Sequence, residues 1–241
     1  MAFMKKPRDL PNLILCGAAI PWVDRIKHLG NYISNTMDGN QLDIKVKTAK
    51  YIDKCNSLSQ EFCFAHPYTK VSINSIYNSH FTGSQLWSLD CREMEKLESA
   101  YNKSIKIIYN LPWATHRYFM ESLSSRPHLR RTLVRRYLSF VKAVANSTKK
   151  PLRMLLEISR RDVRTTTGSN LRRIMLLTGK GTVEDLEVKD ANSLHYHKVP
   201  ACEEWRLNLL KELIDIKNEE IDVPGIDMYQ LDQIINYVCT T

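Results

Sequence analysis

The side chains best suited to chemistry in this sequence are clustered arginines, and the chemistry that they suit is phosphate binding. Between Arg126 and Arg173 there are fourteen lysines and arginines and only two acids, Glu157 and Asp162. Such a basic block is typical of proteins that bind polyanions. Guanidinium groups also match the forked geometry of a phosphate better than ammonium groups do. The candidate nucleic-acid-binding arginines are Arg130, Arg131, Arg135, Arg136, Arg160, Arg161, Arg164, Arg172 and Arg173.

A second candidate set is a row of lysines at helical spacing, Lys47, Lys50 and Lys54. Lysines along one face of a helix can follow a duplex backbone and give affinity without sequence preference. An ordinary solvated helix face accounts for the same pattern equally well. We therefore carry both interpretations of these lysines forward.

Motifs of known catalytic chemistry are missing from the sequence. We find no G-x-S-x-G, Walker loop, H-E-x-x-H or G-x-G-x-x-G, and no acid–base pair can be assigned. Two groups of cysteine and histidine lack the paired spacing of a structural zinc site; they are Cys55, Cys63 and His66, and His195, His197 and Cys202. The sequence favours binding over catalysis, and we expect neither a metal nor a cofactor.

The composition is that of an ordinary soluble globular protein. Of its 241 residues, 43% are hydrophobic and 25% are charged. No apolar run approaches the ~20 residues that a membrane span needs. The run Leu13–Ile20 is too short, and prolines precede it too closely, for a secretory signal. Six cysteines without C-x-x-C spacing favour a reduced, intracellular chain, nuclear or cytoplasmic.

Charge is segregated along the chain, whose formal net charge is +9. The segment from Arg126 to Arg173 carries +12, and the segment from Glu184 to Thr241 carries −8. An acidic tail does not bind the phosphates that the basic block attracts. It either screens the block or packs against it.

Apolar periodicity predicts a mainly α-helical bundle with a small N-terminal β segment. Short apolar runs broken by proline and glycine predict two or three strands within Met1–Asn35. From Asp38 to His66 the period becomes helical. The apolar stripe predicted for this helix is Leu42, Val46, Ala49, Ile52, Cys55, Leu58 and Phe62.

The aromatic-rich stretch Ser72–Leu89 is predicted as one continuous central helix, because its apolar residues recur at steps of three and four. A third helix is predicted over Glu93–Asn110 and a short one over Thr115–Leu123. The predicted buried positions are Ile73, Ile76 or Tyr77, His80 or Phe81, Ser84 and Trp87 in the central helix, and Met94, Leu97, Tyr101, Ile105 and Ile108 in the third.

Helices are also predicted in the basic block and in the acidic tail. Pro127 and Pro151 each suit a helix start. A helix is predicted to follow Thr165–Asn170, with Thr167 or Ser169 as its N-cap. Its N-terminus lies beside Arg172 and Arg173 and could hold a phosphate, or the cap could serve the helix alone with nothing bound. The residues expected to be buried after Pro151 are Leu152, Leu155, Leu156 and Ile158, and the tail helices are expected over Ala201–Lys217 and Tyr229–Val238.

Four motifs follow one another in the order of a known family. They are D-R-I-K-H-L-G-N-Y-I (Asp24–Ile33), I-Y-N-S-H-F-T-G-S-Q-L-W (Ile76–Trp87), L-P-W-A-T-H-R-Y (Leu111–Tyr118) and T-T-T-G-S-N-L-R-R-I (Thr165–Ile174). From about Met1 to Gly179 the chain resembles the reverse transcriptases of non-LTR retrotransposons, especially the jockey and chicken-repeat group. Each motif alone is weak, and their fixed order makes the resemblance specific.

The resemblance implies a C-terminal fragment of a reverse transcriptase. Residues 1–36 match the end of the palm, where His28, Leu29 and Gly30 match the turn that supports the primer terminus. Residues 37–125 match the thumb, which grips the template–primer duplex; residues 126–182 form the basic helical region and residues 183–241 the acidic tail. The family's Asp-Asp motif is absent, so Mg²⁺ would belong to a missing catalytic site. We expect an RNA or RNA–DNA duplex as partner and no activity of the fragment alone.

The alternative is a helical protein-interaction module, or a structural relic, in which the basic and acidic segments pair with each other. The two interpretations differ in salt dependence. Duplex binding weakens steeply as salt rises because counterions are released, whereas a self-paired chain binds little RNA at any salt concentration. The oligomeric state is not predicted.

Overall fold

The computed structural model describes residues 14–20, 23–34, 39–77, 81–124, 127–194, 203–219, 221 and 226–240. These residues are mainly α-helical, with two small antiparallel strand pairs at the N-terminal end, so the predicted fold class is confirmed. The helices are α1 (Gly39–Glu61), α2 (Pro67–Tyr77), α3 (Arg92–Ile108), α4 (Tyr118–Ser124), α5 (Leu129–Ala145), α6 (Lys150–Arg161), α7 (Thr166–Thr178), α8 (Asp190–Ser193), α9 (Glu204–Asn218) and α10 (Met228–Thr240).

Two hairpins form where two or three strands are predicted. β1 (Ile14–Leu15) pairs with β2 (Ala18–Ala19), and β3 (Arg25–His28) pairs with β4 (Asn31–Ser34). Each hairpin turns through two residues with positive φ, which is the turn geometry that matches strand twist. The part of the strand prediction that falls on residues 1–13 lies outside the described residues.

The centre of the bundle is the contact between α1 and α3. The predicted stripe of α3 is confirmed, because all five of its members are buried. Tyr51 of α1 stacks on Tyr101 of α3, with ring centroids 6.3 Å apart. Its hydroxyl also shares a hydrogen bond of 2.6 Å with Ser104. This contact holds α1 in a fixed rotation against the core.

The apolar stripe predicted for α1 is partly wrong. Ile52 and Phe62 belong to that stripe and are 43% and 39% exposed, whereas Tyr51 is buried. Asp43 and Lys47 are buried as well, as an ion pair with N···O 3.0 Å. A prediction from apolar residues places every charged side chain at the surface. Because Asp43 and Lys47 are buried as a pair, the face of α1 that packs on the core differs from the predicted one.

The central helix predicted over Ser72–Leu89 is also wrong in its second half. α2 ends at Tyr77, and a single 3₁₀ turn covers Ser84–Leu86. Gly83 has φ 84°, a left-handed conformation that an α-helix does not contain. Phe81 and Trp87 are nevertheless 1% exposed, so the burial of these aromatics is confirmed although they lie in a loop. His80 lies outside the described residues.

α6 departs from expectation in its burial. No residue of this helix is buried, and Leu152, Leu155 and Ile158 are 41%, 60% and 63% exposed. Leu156 alone of the four predicted residues packs against the core. α6 contacts its neighbours α5 and α7, and that narrow line of contact leaves most of its apolar face uncovered.

The acidic tail folds back on the rest of the bundle. α9 and α10 pack together, and the Arg206 guanidinium donates to the Val238 carbonyl at 2.5 Å. Tyr68 of α2 donates to Asp215 of α9 at 3.4 Å. Both predicted tail helices are confirmed as helices. Among the described residues, every helix is too short or too polar to cross a membrane.

Candidate nucleic-acid interface

A cavity of about 360 Å³ opens between the β3–β4 hairpin and α1. Four lysines line it, namely Lys27 from the hairpin and Lys47, Lys50 and Lys54 from α1, and we call it the lysine cavity. No acidic side chain is among the described residues that line it. The structure therefore brings all three lysines predicted on α1 to one site and adds Lys27, which the sequence analysis missed. Lys27 directly precedes His28–Gly30, the predicted primer-support turn, and this position could have identified it as a candidate from the sequence.

Lys47 holds a structural position in this cavity. It is 9% exposed, and its ammonium donates to the Asn31 side chain at 2.5 Å, to Asp43 at 3.0 Å and to the Thr82 carbonyl. The ammonium also lies 5.4 Å from the centre of the Trp87 ring. The expectation of a solvated face is therefore wrong for Lys47, whose charge is already matched within the protein.

Lys27 and Lys50 bring their charge to the cavity without forming an ion pair with a carboxylate of the described residues, and Lys54 lines the cavity beside them. Lys50 is exposed and, within the described part of the chain, makes no hydrogen bond or ion pair. Lys54 lies over the Tyr77 ring at 5.4 Å and Lys27 over the Tyr32 ring at 5.9 Å. Cation–π contacts leave the positive charge of an ammonium in place. The cavity mouth is therefore positive.

The buried Tyr51 phenol adds no negative charge to the inner part of the cavity. Tyr51 is 2% exposed, and burial raises the pKa of its phenol well above the ordinary value. This phenol stays neutral at physiological pH, and its hydroxyl is engaged by Ser104. An anion that enters the cavity meets positive charge at the mouth and neutral groups inside.

The predicted primer-support turn lies at the tip of the same hairpin. Leu29 is 84% exposed with φ 47°, and Gly30 follows with φ 82°. A leucine in the left-handed region is uncommon and strained. An exposed apolar side chain held in a strained turn is a poor choice for stability alone, and primer support stays a prediction for this turn.

Replacing Leu29 with asparagine is expected to stabilise the fold and weaken duplex binding. Asn-Gly is the favoured sequence for this turn, so the gain in unfolding free energy should be about 1 kcal/mol. Urea unfolding and duplex titration would measure the two effects. Cys16→Asn is the matched control, because Cys16 has φ 50° and precedes Gly17 in the other hairpin. Equal duplex affinity for both variants would contradict a role for Leu29.

A buried polar network fixes the hairpin on α1. Asp43 accepts from the Tyr32 backbone amide at 3.2 Å and from the Trp87 indole at 2.7 Å, in addition to its ion pair with Lys47. A Cβ at Gly83 would overlap the Asn31 side chain, so the loop approaches the hairpin closely. Sequence reasoning did not single out Asp43, which looks like one of several charges at the start of a helix.

The same network reaches α7 through Asn170, which is 1% exposed. The Asn170 side chain donates to the Trp87 carbonyl at 2.8 Å and accepts from the Leu89 amide at 2.9 Å. Three of the four motifs identified in the sequence thus meet around Trp87. Their side chains position the loop, the hairpin and α1 relative to one another.

α7 begins in a way the sequence did not predict. Thr165, rather than Thr167 or Ser169, caps the helix, with its hydroxyl accepting from the Gly168 amide at 3.0 Å. A Cβ at Gly168 would overlap the Asp162 carbonyl, so this glycine lets α6 and α7 approach. Arg172 and Arg173 are exposed and have no partner among the described residues. Phosphate binding stays a prediction for this pair.

Most of the other predicted arginines already have partners. Arg130 pairs with Glu98 and Arg131 with Glu121, each at 2.6 Å. Burial raises the pKa of Glu98 and the Arg130 guanidinium opposes that rise. The remaining contacts are Arg131 to the Leu194 carbonyl, Arg135 to Asn192, Arg160 to Glu157 and Glu184, Arg161 to Glu157, and Arg164 to Asp162.

Two of these arginines show how burial and pairing act on charge. Burial lowers the pKa of Arg136, which is half-buried. Arg164 grips Asp162 with two hydrogen bonds of 3.0 Å, and these lower the pKa of that carboxyl. The structure therefore brings together the lysines of α1 but gives most of the arginines, Arg172 and Arg173 excepted, separate local partners.

Comparison with known proteins adds no further evidence of kinship. No protein-family model, curated protein or solved structure matches this chain. The resemblance to retrotransposon reverse transcriptases accordingly rests on the four motifs. In the described part of the chain, no three side chains of His, Cys, Asp or Glu come together as metal ligands. His195, His197 and Cys202 lie outside the described residues.

Proposed function

We propose that this chain binds and positions a nucleic-acid duplex, as the thumb and adjoining region of a reverse transcriptase of the non-LTR retrotransposon type. The observation that supports the proposal most directly is the lysine cavity, whose positive mouth lies between a strained hairpin tip and α1. Lysines at the mouth of such a cavity, such as Lys27 and Lys50, contribute phosphate affinity through counterion release. The hairpin and α1 are locked together, so they can act as one rigid surface.

The site of action follows from the same observations. Lys50 and Lys54 on α1 contact the duplex backbone, while Leu29 at the tip contacts a strand end. Arg172 and Arg173 supply a second contact on α7, because they are exposed and have no partner among the residues that the structure describes. Catalysis is not proposed for this chain, whose sequence lacks the Asp-Asp motif. The free thiols of Cys55 and Cys239 fit an intracellular location, nuclear or cytoplasmic.

A helical protein-interaction module is the second candidate, and one group of contacts favours it. Arg160 pairs with Glu184 at 2.5 Å, and Arg131 and Arg135 contact Leu194 and Asn192. These contacts tie the basic block to the start of the acidic tail. They leave Lys50, Arg172 and Arg173 unpaired within the described part of the chain, so the duplex proposal accounts for more of the exposed charge.

Fluorescence-anisotropy titration with an RNA–DNA hybrid duplex tests the proposal. We expect binding that weakens steeply with salt, and each lost phosphate contact should lower the salt slope by about 1. The test variants are Lys50→Ala/Lys54→Ala and Arg172→Ala/Arg173→Ala. Lys45→Ala is the matched control, because Lys45 is an exposed lysine of α1 that does not line the cavity.

The controls separate loss of binding from loss of fold. Circular dichroism should show unchanged helix content in all variants, since the replaced side chains are at the surface or the cavity mouth. Absence of binding at low salt from a folded parent chain would overturn the duplex proposal and favour the interaction module. Equal weakening by Lys45→Ala would show that the cavity is not the site of duplex binding.

A further inference from the structure

The lysine cavity has an aromatic interior beneath its positive mouth. Tyr51 and Phe81 are 2% and 1% exposed, and their ring centroids are 5.6 Å apart. Tyr32 and Tyr77 are half-buried and line the cavity nearer the mouth. A site for phosphate alone needs positive charge and hydrogen-bond donors but gains nothing from four aromatic rings. The cavity therefore offers two different environments to one ligand.

Positive charge lies over two of these rings. The Lys54 ammonium lies 5.4 Å from the centre of the Tyr77 ring, and the Lys27 ammonium 5.9 Å from that of Tyr32. Lys50 stands at the same opening without a partner in the described chain. Asp43, the nearest carboxylate of the network, is held by Lys47 and does not line the cavity. A ligand with a flat ring and an attached anion matches both environments.

We propose that the lysine cavity holds one unpaired nucleotide, with its base against the aromatic side chains and its phosphate on Lys27, Lys50 and Lys54. The volume of about 360 Å³ lies within the range of small-molecule sites and suits a single nucleotide. A paired base cannot enter, because it stays stacked within its duplex. Base–aromatic stacking and phosphate–lysine contacts are the usual means of holding single-stranded nucleic acid.

This inference rests on the proposed function, since the same lysines would contact the duplex that carries the unpaired end. It goes further in naming the unit that occupies the site. A duplex with a single-stranded overhang gains a contact that a blunt duplex lacks. The cavity would therefore bind an unpaired strand end beside the hairpin and would not bind a paired one.

Isothermal titration calorimetry of the whole chain with AMP, adenosine and inorganic phosphate tests the inference. Stacking and charge act together only in AMP, so AMP should bind at least about tenfold more tightly than either fragment. Lys50→Ala should weaken AMP binding by several-fold, and Lys45→Ala should leave it unchanged. Tyr77→Leu should also weaken it, while Tyr77→Phe, which keeps the ring, should restore most of the affinity.

Outcomes for the two proposals are distinguishable when the RNA–DNA hybrid is titrated in parallel. Equal affinity for AMP and inorganic phosphate would overturn the nucleotide site and leave a simple phosphate contact. Duplex binding without AMP binding would overturn the nucleotide site and support the proposed function. AMP binding without duplex binding would support the nucleotide site and overturn the proposed function.

Discussion

Replacing Asp43 with alanine is expected to lower the free energy of unfolding by about 3–5 kcal/mol, because removal of one member of a buried ion pair leaves the other charge uncompensated. Asp43 and Lys47 side chains are 4% and 10% exposed, so water cannot restore the lost interaction. The Trp87 indole and the Tyr32 amide lose their acceptor at the same time. Urea unfolding followed by circular dichroism would measure the change.

A double-mutant cycle gives this prediction its control. Asp43→Ala/Lys47→Met removes both charges, so it should be less destabilised than Asp43→Ala alone. Lys45→Ala, two positions away from Asp43 on an exposed face, should change stability little. If Asp43→Ala lost less than about 1 kcal/mol, the ion pair would not organise this site.

Replacing Asn170 with alanine is expected to cost about 2–4 kcal/mol, because two buried backbone groups lose their hydrogen-bond partner together. These groups are the Trp87 carbonyl and the Leu89 amide, and Asn170 itself is 1% exposed. The loop should loosen while α7 stays helical. Thermal and urea unfolding would give the total cost, and amide hydrogen exchange at Leu89 would locate it.

A second asparagine shows whether the loss of stability comes from the hydrogen bonds of Asn170 or from any replacement of asparagine with alanine. Asn208 of α9 is exposed, so Asn208→Ala should change stability by less than about 0.5 kcal/mol. Asn170→Asp is a sharper variant, because it keeps the acceptor for the Leu89 amide and removes the donor to the Trp87 carbonyl. Unchanged exchange at Leu89 in Asn170→Ala would contradict the role given to the two Asn170 hydrogen bonds, which we call the Asn170 clamp.

Sequence patterns predict the helices of this protein well where one apolar stripe decides burial. The stripe of α3 is confirmed residue by residue, since each of its five predicted side chains is buried. α1 fails the same test because its buried face contains Asp43 and Lys47. Periodicity contains no information about which charges find a partner inside.

The loop after Tyr77 shows a second limit of sequence patterns. Phe81 and Trp87 have helical spacing by coincidence, and Gly83 places them in the core through a left-handed turn instead. The sequence predicted that these residues are buried and missed the conformation that buries them. For the candidate site, the lysine spacing on α1 was a useful signal, but the hairpin that completes the cavity is joined by long-range contacts that no local pattern contains.

The clamp made by Asn170 has a consequence for how the chain folds as it is synthesised. Domains emerging from a ribosome fold from the N-terminal end first. Trp87 and Leu89 leave the ribosome before their partner Asn170, which follows them in the sequence by 83 and 81 residues. Until α7 has been translated, the Leu89 amide and the Trp87 carbonyl lack their native partner and bond to water instead, so the loop between α2 and α3 is the last part of this region to reach its final packing.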